Sequence, residues 1–267
     1  MKRVGRARRV SYSDLYCAQL GIFGREGQQR LRRACVHVSG LGGLGSQILF
    51  GLAAQGVGRL TANDPQRLEA DNLNRFPTAT LADIGMPKAQ LVERALRSRP
   101  YLAYQGIVAR NEQPAVDPFY AAADVIVCCS NTVQSRVAAA TKAVRLGKPL
   151  IDAAVSDGTR QLAGAVKIRL PEEGSWSACP ACYLQQQHAK VPRGEALFFP
   201  LLAATAALAS HAVVEFISSG AASFQNRNLV LIDLREFRLA SFSVGKKRDC
   251  VACGSPRRHG VAVQIPS

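Results

Sequence analysis

Residues 34–63 read ACVHVSGLGGLGSQILFGLAAQGVGRLTAN, and Asp64 follows. The order of residue types decides the fold. Cys35, Val36, His37 and Val38 form a short β-prone run. Gly40, Gly42 and Gly45 then stand at G-x-G-x-x-G spacing, with Gly43 between them, and Ser46 to Gln55 is mostly apolar and helix-prone. That is a strand, a tight glycine turn and a helix N-terminus, where unpaired N–H groups and the helix dipole favour an anion. A second strand, Arg59 to Asn63, ends on Asp64, 19 residues after Gly45. An acid at that distance is placed to accept hydrogen bonds from a ribose.

The next residues narrow the ligand. Asn72, Leu73, Asn74 and Arg75 come soon after the acid, and Lys88 follows a Gly85-Met86-Pro87 turn. A dinucleotide site binds a pyrophosphate and does not need this set of polar and basic groups, whereas a triphosphate does. Arg75 can bond in a fork, and Lys88 can act as a point charge on phosphate oxygens. An NAD-dependent oxidoreductase would use Asp64 but leave Asn72, Arg75 and Lys88 unexplained.

The run G-L-G-G-L-G-S, then N-D, D-N-L-N-R-F and G-M-P-K-A, resembles the ThiF/MoeB/HesA family, bacterial relatives of the ubiquitin-activating enzymes. The resemblance spans about residues 20 to 253. It implies an α/β fold, a Rossmann-like, mixed, mainly parallel eight-stranded sheet with helices on both faces. It implies ATP-dependent adenylation of the C-terminal carboxylate of a small ubiquitin-like or sulfur-carrier protein, and a homodimer. On this resemblance the nucleotide residues are Gly40, Gly42, Gly43, Gly45, Asp64, Asn72, Arg75, Lys88 and Asn131. Arg75 and Lys88 carry the catalytic role, and ATP arrives with Mg2+.

The chain departs from the family pattern in two places. An Arg-Tyr-x-Arg-like motif near the start supplies an arginine across the family's dimer. Here the matching stretch is Ser11-Tyr12-Ser13-Asp14, with both arginine positions lost; Arg8, Arg9 and Arg25 are the nearby substitutes. The family also places a magnesium-binding aspartate after the strand Asp124 to Cys129, where this chain has Asn131. An amide is a weaker ligand for a hard cation than a carboxylate. Two readings follow: an adenylyltransferase that works through Asn131 or through a nearby acid such as Asp152, or a nucleotide-binding scaffold without turnover that docks a protein partner.

The second strong signal is two C-x-x-C knuckles, Cys179-Pro180-Ala181-Cys182 and Cys250-Val251-Ala252-Cys253, with 67 residues between them. Two such pairs make a closed tetrahedral Zn2+ site of the structural kind, and the family places its structural zinc on the same pairs. The crossover Tyr183 to Leu197 holds no cysteine. Relatives that form a thioester with their partner carry one there, so the reading is adenylation without thioester transfer. Cys128 and Cys129 sit in an apolar strand and read as small hydrophobes. His188 reads as a surface residue.

Composition bounds the rest. The 267 residues are 48% hydrophobic, enough for a packed core, and carry a net charge of +15 from 34 basic and 19 acidic residues. Much of the excess sits at the ends: Lys2, Arg3, Arg6, Arg8 and Arg9, then Lys246, Lys247, Arg248, Arg257 and Arg258. Such ends can bind nucleic acid, but no nucleic-acid module or interleaved aromatics accompany them. A solvated terminus is the plainer reading. The expected organisation is a basic arm and helix over 1–33, an adenylation domain with the zinc site over 34–253, and a basic tail over 254–267. Ala196 to Ile217 is long and apolar, but Pro200, Ser210, His211 and Glu215 favour a buried helix over a membrane span. The basic start lacks the apolar core of a signal peptide, and the chain is expected to be cytoplasmic. Further strands are expected at Tyr104–Ala109, Pro149–Val155, Leu162–Leu170, Arg227–Asp233 and Glu236–Phe242, the last two antiparallel. Helices are expected at Lys88–Leu96 and Val133–Leu146.

Overall fold

Five short strands pair in parallel, and the inner ones are buried because helices cover both of their faces. The computed structural model describes residues 10–156, 162–170, 178–184, 197–224 and 227–254. The basic residues numbered 2–9 and 257–258 and His188 lie outside the described residues.

In chain order the elements are α1 (Tyr12–Leu15), α2 (Leu20–Arg33), β1 (Cys35–Ser39), α3 (Gly43–Ala54), β2 (Arg59–Asn63), α4 (Lys88–Leu96), β3 (Ala103–Ile107), α5 (Asp117–Ala122), β4 (Val125–Cys128), α6 (Val133–Arg145), β5 (Leu150–Val155), β6 (Ala163–Arg169), α7 (Pro180–Leu184), α8 (Phe199–Ser219), β7 (Leu229–Asp233) and β8 (Arg238–Phe242). They form one eight-stranded sheet in the order β3-β2-β1-β4-β5-β6-β7-β8. The first five strands are parallel, with Val36 beside Leu60 and Leu60 beside Tyr104. From β5 onward each pairing is antiparallel. The sheet is thus a parallel half joined to an antiparallel half, and only the first half is of Rossmann type.

Two cores lie on opposite faces. One packs α2, α3, α4 and α8 against the sheet through Leu31, Ile48, Leu52, Leu91, Leu202 and Val213. The other joins α5 and α6 to the two cysteine knuckles. Each fully buried Leu, Ile or Val contributes about 1.5–3 kcal/mol by leaving water. Among the described residues α8 alone is long and apolar enough to cross a membrane. It begins at Phe199, with Pro200 in its first turn, and is packed against α2, α3, β5 and β6.

The Ser11–Asp14 stretch has a different job from an arginine arm. Ser11 Oγ accepts from the Asp14 N–H and Asp14 Oδ2 accepts from the Ser11 N–H, closing a capping box on α1. Tyr12 is buried; its hydroxyl donates to the Gly56 carbonyl at 2.6 Å and accepts from Gln28 Nε2 at 2.8 Å. Gly56 has φ +86°, and a Cβ there would stand 2.6 Å from the Tyr12 hydroxyl. Ser11 and Asp14 therefore cap the N-terminal segment, and Tyr12 between them anchors it. Arg25 is exposed on α2.

His37 sits inside β1 with no exposed surface. Its Nε2 donates to Asn63 Oδ1 at 3.0 Å, which leaves Nδ1 to accept from Thr61 Oγ1 at 2.9 Å. Burial holds its pKa down at about 4, although the Asn63 bond works in the opposite sense. A group whose folded pKa is depressed stabilises above its unfolded pKa and loses that contribution as pH falls toward the folded value. Between about pH 6.5 and pH 4, stability should drop by up to about 1.4 kcal/mol per pH unit from this residue. Urea unfolding across that range checks it: His37→Gln should flatten the slope, and an unchanged slope would remove His37 as its source.

Candidate functional site

The glycine turn lies at the carboxyl ends of β1, β2 and β4, where open α/β sheets bind ligands. Gly40 has φ +89°, and a Cβ there would lie 3.0–3.1 Å from the backbone of Cys129 and Ser130. Its N–H donates to the Asn63 carbonyl at 2.8 Å. Gly45 allows the Gly40 carbonyl to close on the helix. Gly43 lets Arg75 approach, since its missing Cβ would be 3.0 Å from Arg75 Cβ, Cγ and carbonyl oxygen. Gly42 differs: nothing lies within 4 Å of its missing Cβ. It is the N-cap of α3 and supplies no side-chain cap. The α3 terminus therefore opens onto space with uncapped N–H groups, a cradle suited to a phosphate. The helix begins at Gly43, not at Ser46 as its composition indicates, because the glycines already take helical geometry.

Asp64 is buried beside this turn. Its Oδ2 accepts from the Leu41 N–H at 2.6 Å and its Oδ1 from the Gln66 N–H at 2.7 Å. The carboxylate braces the glycine turn as well as standing at the expected ribose position, and each oxygen keeps a second lone pair for a hydroxyl.

The basic residues lie close to this acid: Arg75 packs on the Gly43 position, and Lys88 feels the charges of Asp64 and Arg75. Residues Ala70–Arg75 form a 3₁₀ turn that the sequence pattern did not mark. Asn72 is buried, and its Nδ2 donates to Asp71 Oδ1 at 2.6 Å. Arg75 is folded against the same aspartate: Nη2 lies 3.3 Å from Asp71 Oδ2, and Nη1 bonds the Asp71 carbonyl and, at 3.0 Å, Asn74 Oδ1. Lys88, the first residue of α4, is 6% exposed. Its ammonium donates to Gln66 Oε1 at 2.9 Å and, among the described residues, forms no ion pair. Burial pulls its pKa below the usual lysine value, while the charge of Asp64 opposes that shift. A buried ammonium with a neutral amide partner is a costly arrangement that an anion would relieve. Gln66 and Asp71 were not legible as site residues; their proximity to Lys88 and Arg75 in the chain was the available signal.

Asn131 is exposed, in the loop between β4 and α6. The start of that loop touches the glycine turn through the Gly40 contact with Cys129 and Ser130. Asp152 is not a substitute acid. It is fully buried, paired with Arg136 through Oδ1 and with Lys167 through Oδ2 at 3.3 Å. Burial pushes its pKa up, but the two cations outweigh that and hold it below the usual carboxylate value. Cys128 is buried, and burial pushes its thiol up to about 11; Cys129 is raised well above the usual thiol value by the same cause. Neither is a nucleophile at neutral pH.

The four knuckle cysteines gather elsewhere, on the α6 face. Their sulfurs all lie within 4.8 Å of one another, with Cys179–Cys182 at 4.0 Å, Cys179–Cys250 at 3.6 Å and Cys182–Cys253 at 3.4 Å. A tetrahedron with Zn–S bonds of about 2.3 Å has sulfur–sulfur edges of about 3.8 Å. The four thiols fit that ion and are too far apart for disulfides. The Lys247 N–H points at Cys182 Sγ, 3.5 Å away, as a bond to a thiolate requires.

Comparison with known proteins fits this geometry. The chain is 30% identical over 239 residues to a sulfur carrier protein adenylyltransferase of Thermus thermophilus, covering 86% of each. It is 26% identical over 238 residues to the vegetative HesA protein of Trichormus variabilis, covering 89% of this chain and 87% of that one. The fold is shared with a crystal structure of Escherichia coli MccB with ATP, at a TM-score of 0.74 and 20% identity, covering 92% of this chain and 75% of that one. Residues 16–253 match the model of the ThiF family, and the chain belongs to that family.

Proposed function

We propose that this chain uses ATP to adenylate the C-terminal carboxylate of a small ubiquitin-like or sulfur-carrier protein. The observation that carries the reading is Arg75 packed on Gly43 at the open N-terminus of α3, with the buried Lys88 close enough to feel the charges of Asp64 and Arg75. The name of the Thermus thermophilus relative and the ATP-bound MccB structure of the same fold support it. In this reading Asp64 accepts from the ribose, and Gly40, Gly42, Gly43 and Gly45 shape the phosphate cradle. Asn72, Arg75 and Lys88 hold the triphosphate, and Arg75 gives up part of its Asp71 pairing to do so. The partner's carboxylate oxygen attacks the α-phosphorus. The bond to the bridging oxygen breaks, and pyrophosphate leaves with that electron pair. Lys88 and Arg75 stabilise the charge that develops. Magnesium, when bound with ATP, neutralises phosphate charge; Asn131 offers its amide oxygen at that end of the site.

No enzyme nucleophile is needed, in keeping with the inert Cys128 and Cys129 and the cysteine-free crossover 183–197. The partner surface is the sheet face away from α8, where Leu231 and Phe242 are exposed on paired strands. Zinc on Cys179, Cys182, Cys250 and Cys253 is structural, and the reduced thiols suit a cytoplasmic chain. The active form is a homodimer.

The scaffold reading has its own support in Asn131 and in the capping role of Ser11 and Asp14. Pyrophosphate release with a sulfur-carrier partner separates the two. The wild type should release it in the presence of magnesium, and Asn131→Asp should raise the rate about tenfold by adding a charged ligand. No release from either protein, with AMP never appearing on the partner, would establish the scaffold.

A further inference from the structure

Below the Asn131 loop lies a group of buried polar side chains that the reaction above does not use. Asn111, in the segment after β3, is 1% exposed. Its Oδ1 accepts from Ser39 Oγ at 2.6 Å, Asn63 Nδ2 at 3.0 Å and the Tyr120 hydroxyl at 3.1 Å. Its Nδ2 donates to Ser130 Oγ at 3.0 Å and to the Ser135 carbonyl at 3.1 Å. The acceptor end is thus fixed to β1, β2 and α5. The donor end holds both sides of the loop that carries Asn131. Donor directions agree along the whole path: the Thr61 hydroxyl to His37, His37 to Asn63, Asn63 to Asn111, and Asn111 to the loop.

A fully satisfied buried network of this kind fixes one arrangement of the groups it joins. Asn131 depends on that. Its side chain makes no hydrogen bond among the described residues, so its aim is set by its backbone. Thr132 next to it is engaged as the N-cap of α6, accepting from the Ser135 N–H at 3.2 Å. Backbone on one side of Asn131 abuts the glycine turn at Gly40.

The geometry points to Asn111 as a positioning residue of the nucleotide site: it clamps Ser130 and Ser135 so that Asn131 is held over the phosphate end. This rests on the reading of that opening as an ATP site. Asn111 touches neither nucleotide nor partner and acts only through the loop.

The test is calorimetric ATP binding to the full zinc-loaded chain, with and without added magnesium, for the wild type, Asn111→Ala, Ser130→Ala and Tyr120→Phe. Magnesium should tighten ATP binding to the wild type. Asn111→Ala should weaken binding of the magnesium complex about tenfold, the cost of freeing two buried hydrogen bonds, and should shrink the magnesium effect. Ser130→Ala should do the same in smaller measure, and it decides the matter if Asn111→Ala fails to fold. Tyr120→Phe loosens only the acceptor end; it should lower the thermal midpoint and leave both constants unchanged. Wild-type affinity and magnesium effect in Asn111→Ala and Ser130→Ala would overturn the inference. So would an equal loss in Tyr120→Phe, which would make the network purely structural, or a wild type indifferent to magnesium. A wild type that binds no ATP in either condition overturns the reading of the site itself, a separate outcome.

Discussion

Lys88→Ala should abolish pyrophosphate release while leaving the protein folded and its zinc bound. Arg75→Ala should do the same, each by about 10²–10³-fold, the usual cost of removing a preorganised donor from a developing charge. The two variants differ in how they affect stability. Lys88 is a buried cation whose ammonium has a neutral partner and whose pKa is pulled down by burial. Removing it relieves a desolvation cost, so Lys88→Ala, or the better-filling Lys88→Met, should hold or raise the thermal midpoint even as activity vanishes. Such opposition between stability and activity marks a residue kept for function. Arg75 is paired with Asp71 near the surface, with 17% of its side chain exposed, and its loss should change the midpoint little. Unchanged turnover in both variants, or a midpoint collapse in Lys88→Ala, would contradict the assignment.

The largest effect on stability should come from the cysteine cluster. Cys182→Ser or Cys250→Ser should lose zinc on dialysis and drop the thermal midpoint by about 6–20 °C. That follows from about 3–5 kcal/mol for breaking a buried charged cluster and about 2–4 °C per kcal/mol in a chain of this size. The cluster ties the segment after β6 to the segment after β8 and sits in the core formed by α5 and α6. Hydrogen exchange should therefore speed up first in α6, α7 and the segment after β8, before α3 and β1. Metal analysis by mass spectrometry checks the other half: about one zinc per wild-type chain and much less per variant. Full zinc content in both variants, or an unmoved midpoint, would show that the ligands are not these four.

Much of the architecture was legible because it is encoded locally. The β1 run, the glycine turn and the apolar α3 read as strand, turn and helix from neighbouring residues alone. Asp64 and Arg75 both border the glycine turn, and the two knuckles do meet across 67 residues. What was not legible depends on partners distant in sequence. Asp152 looked like a reachable acid until Arg136 and Lys167 were seen to occupy both of its oxygens. Ser11 and Asp14 looked like losses from a motif, whereas they form a reciprocal cap. Asn111, Ser39 and Asn63 gave no signal because a polar residue in a strand or loop reads as exposed; burial and long-range bonding make them a network. The switch from parallel to antiparallel pairing at β6 is likewise a matter of chain reversal that side-chain pattern does not record.

The claim on which the rest depends is that this opening holds a nucleoside triphosphate. The direct measurement is the thermal midpoint of the wild-type chain with Mg-ATP, with NAD and with neither, keeping chelators out so that the cysteine cluster is undisturbed. At about 100 times its dissociation constant a ligand adds about 2.7 kcal/mol, worth about 5–10 °C here. ATP should give that shift and NAD none. A shift with NAD and none with ATP would contradict the triphosphate site and the adenylation built on it.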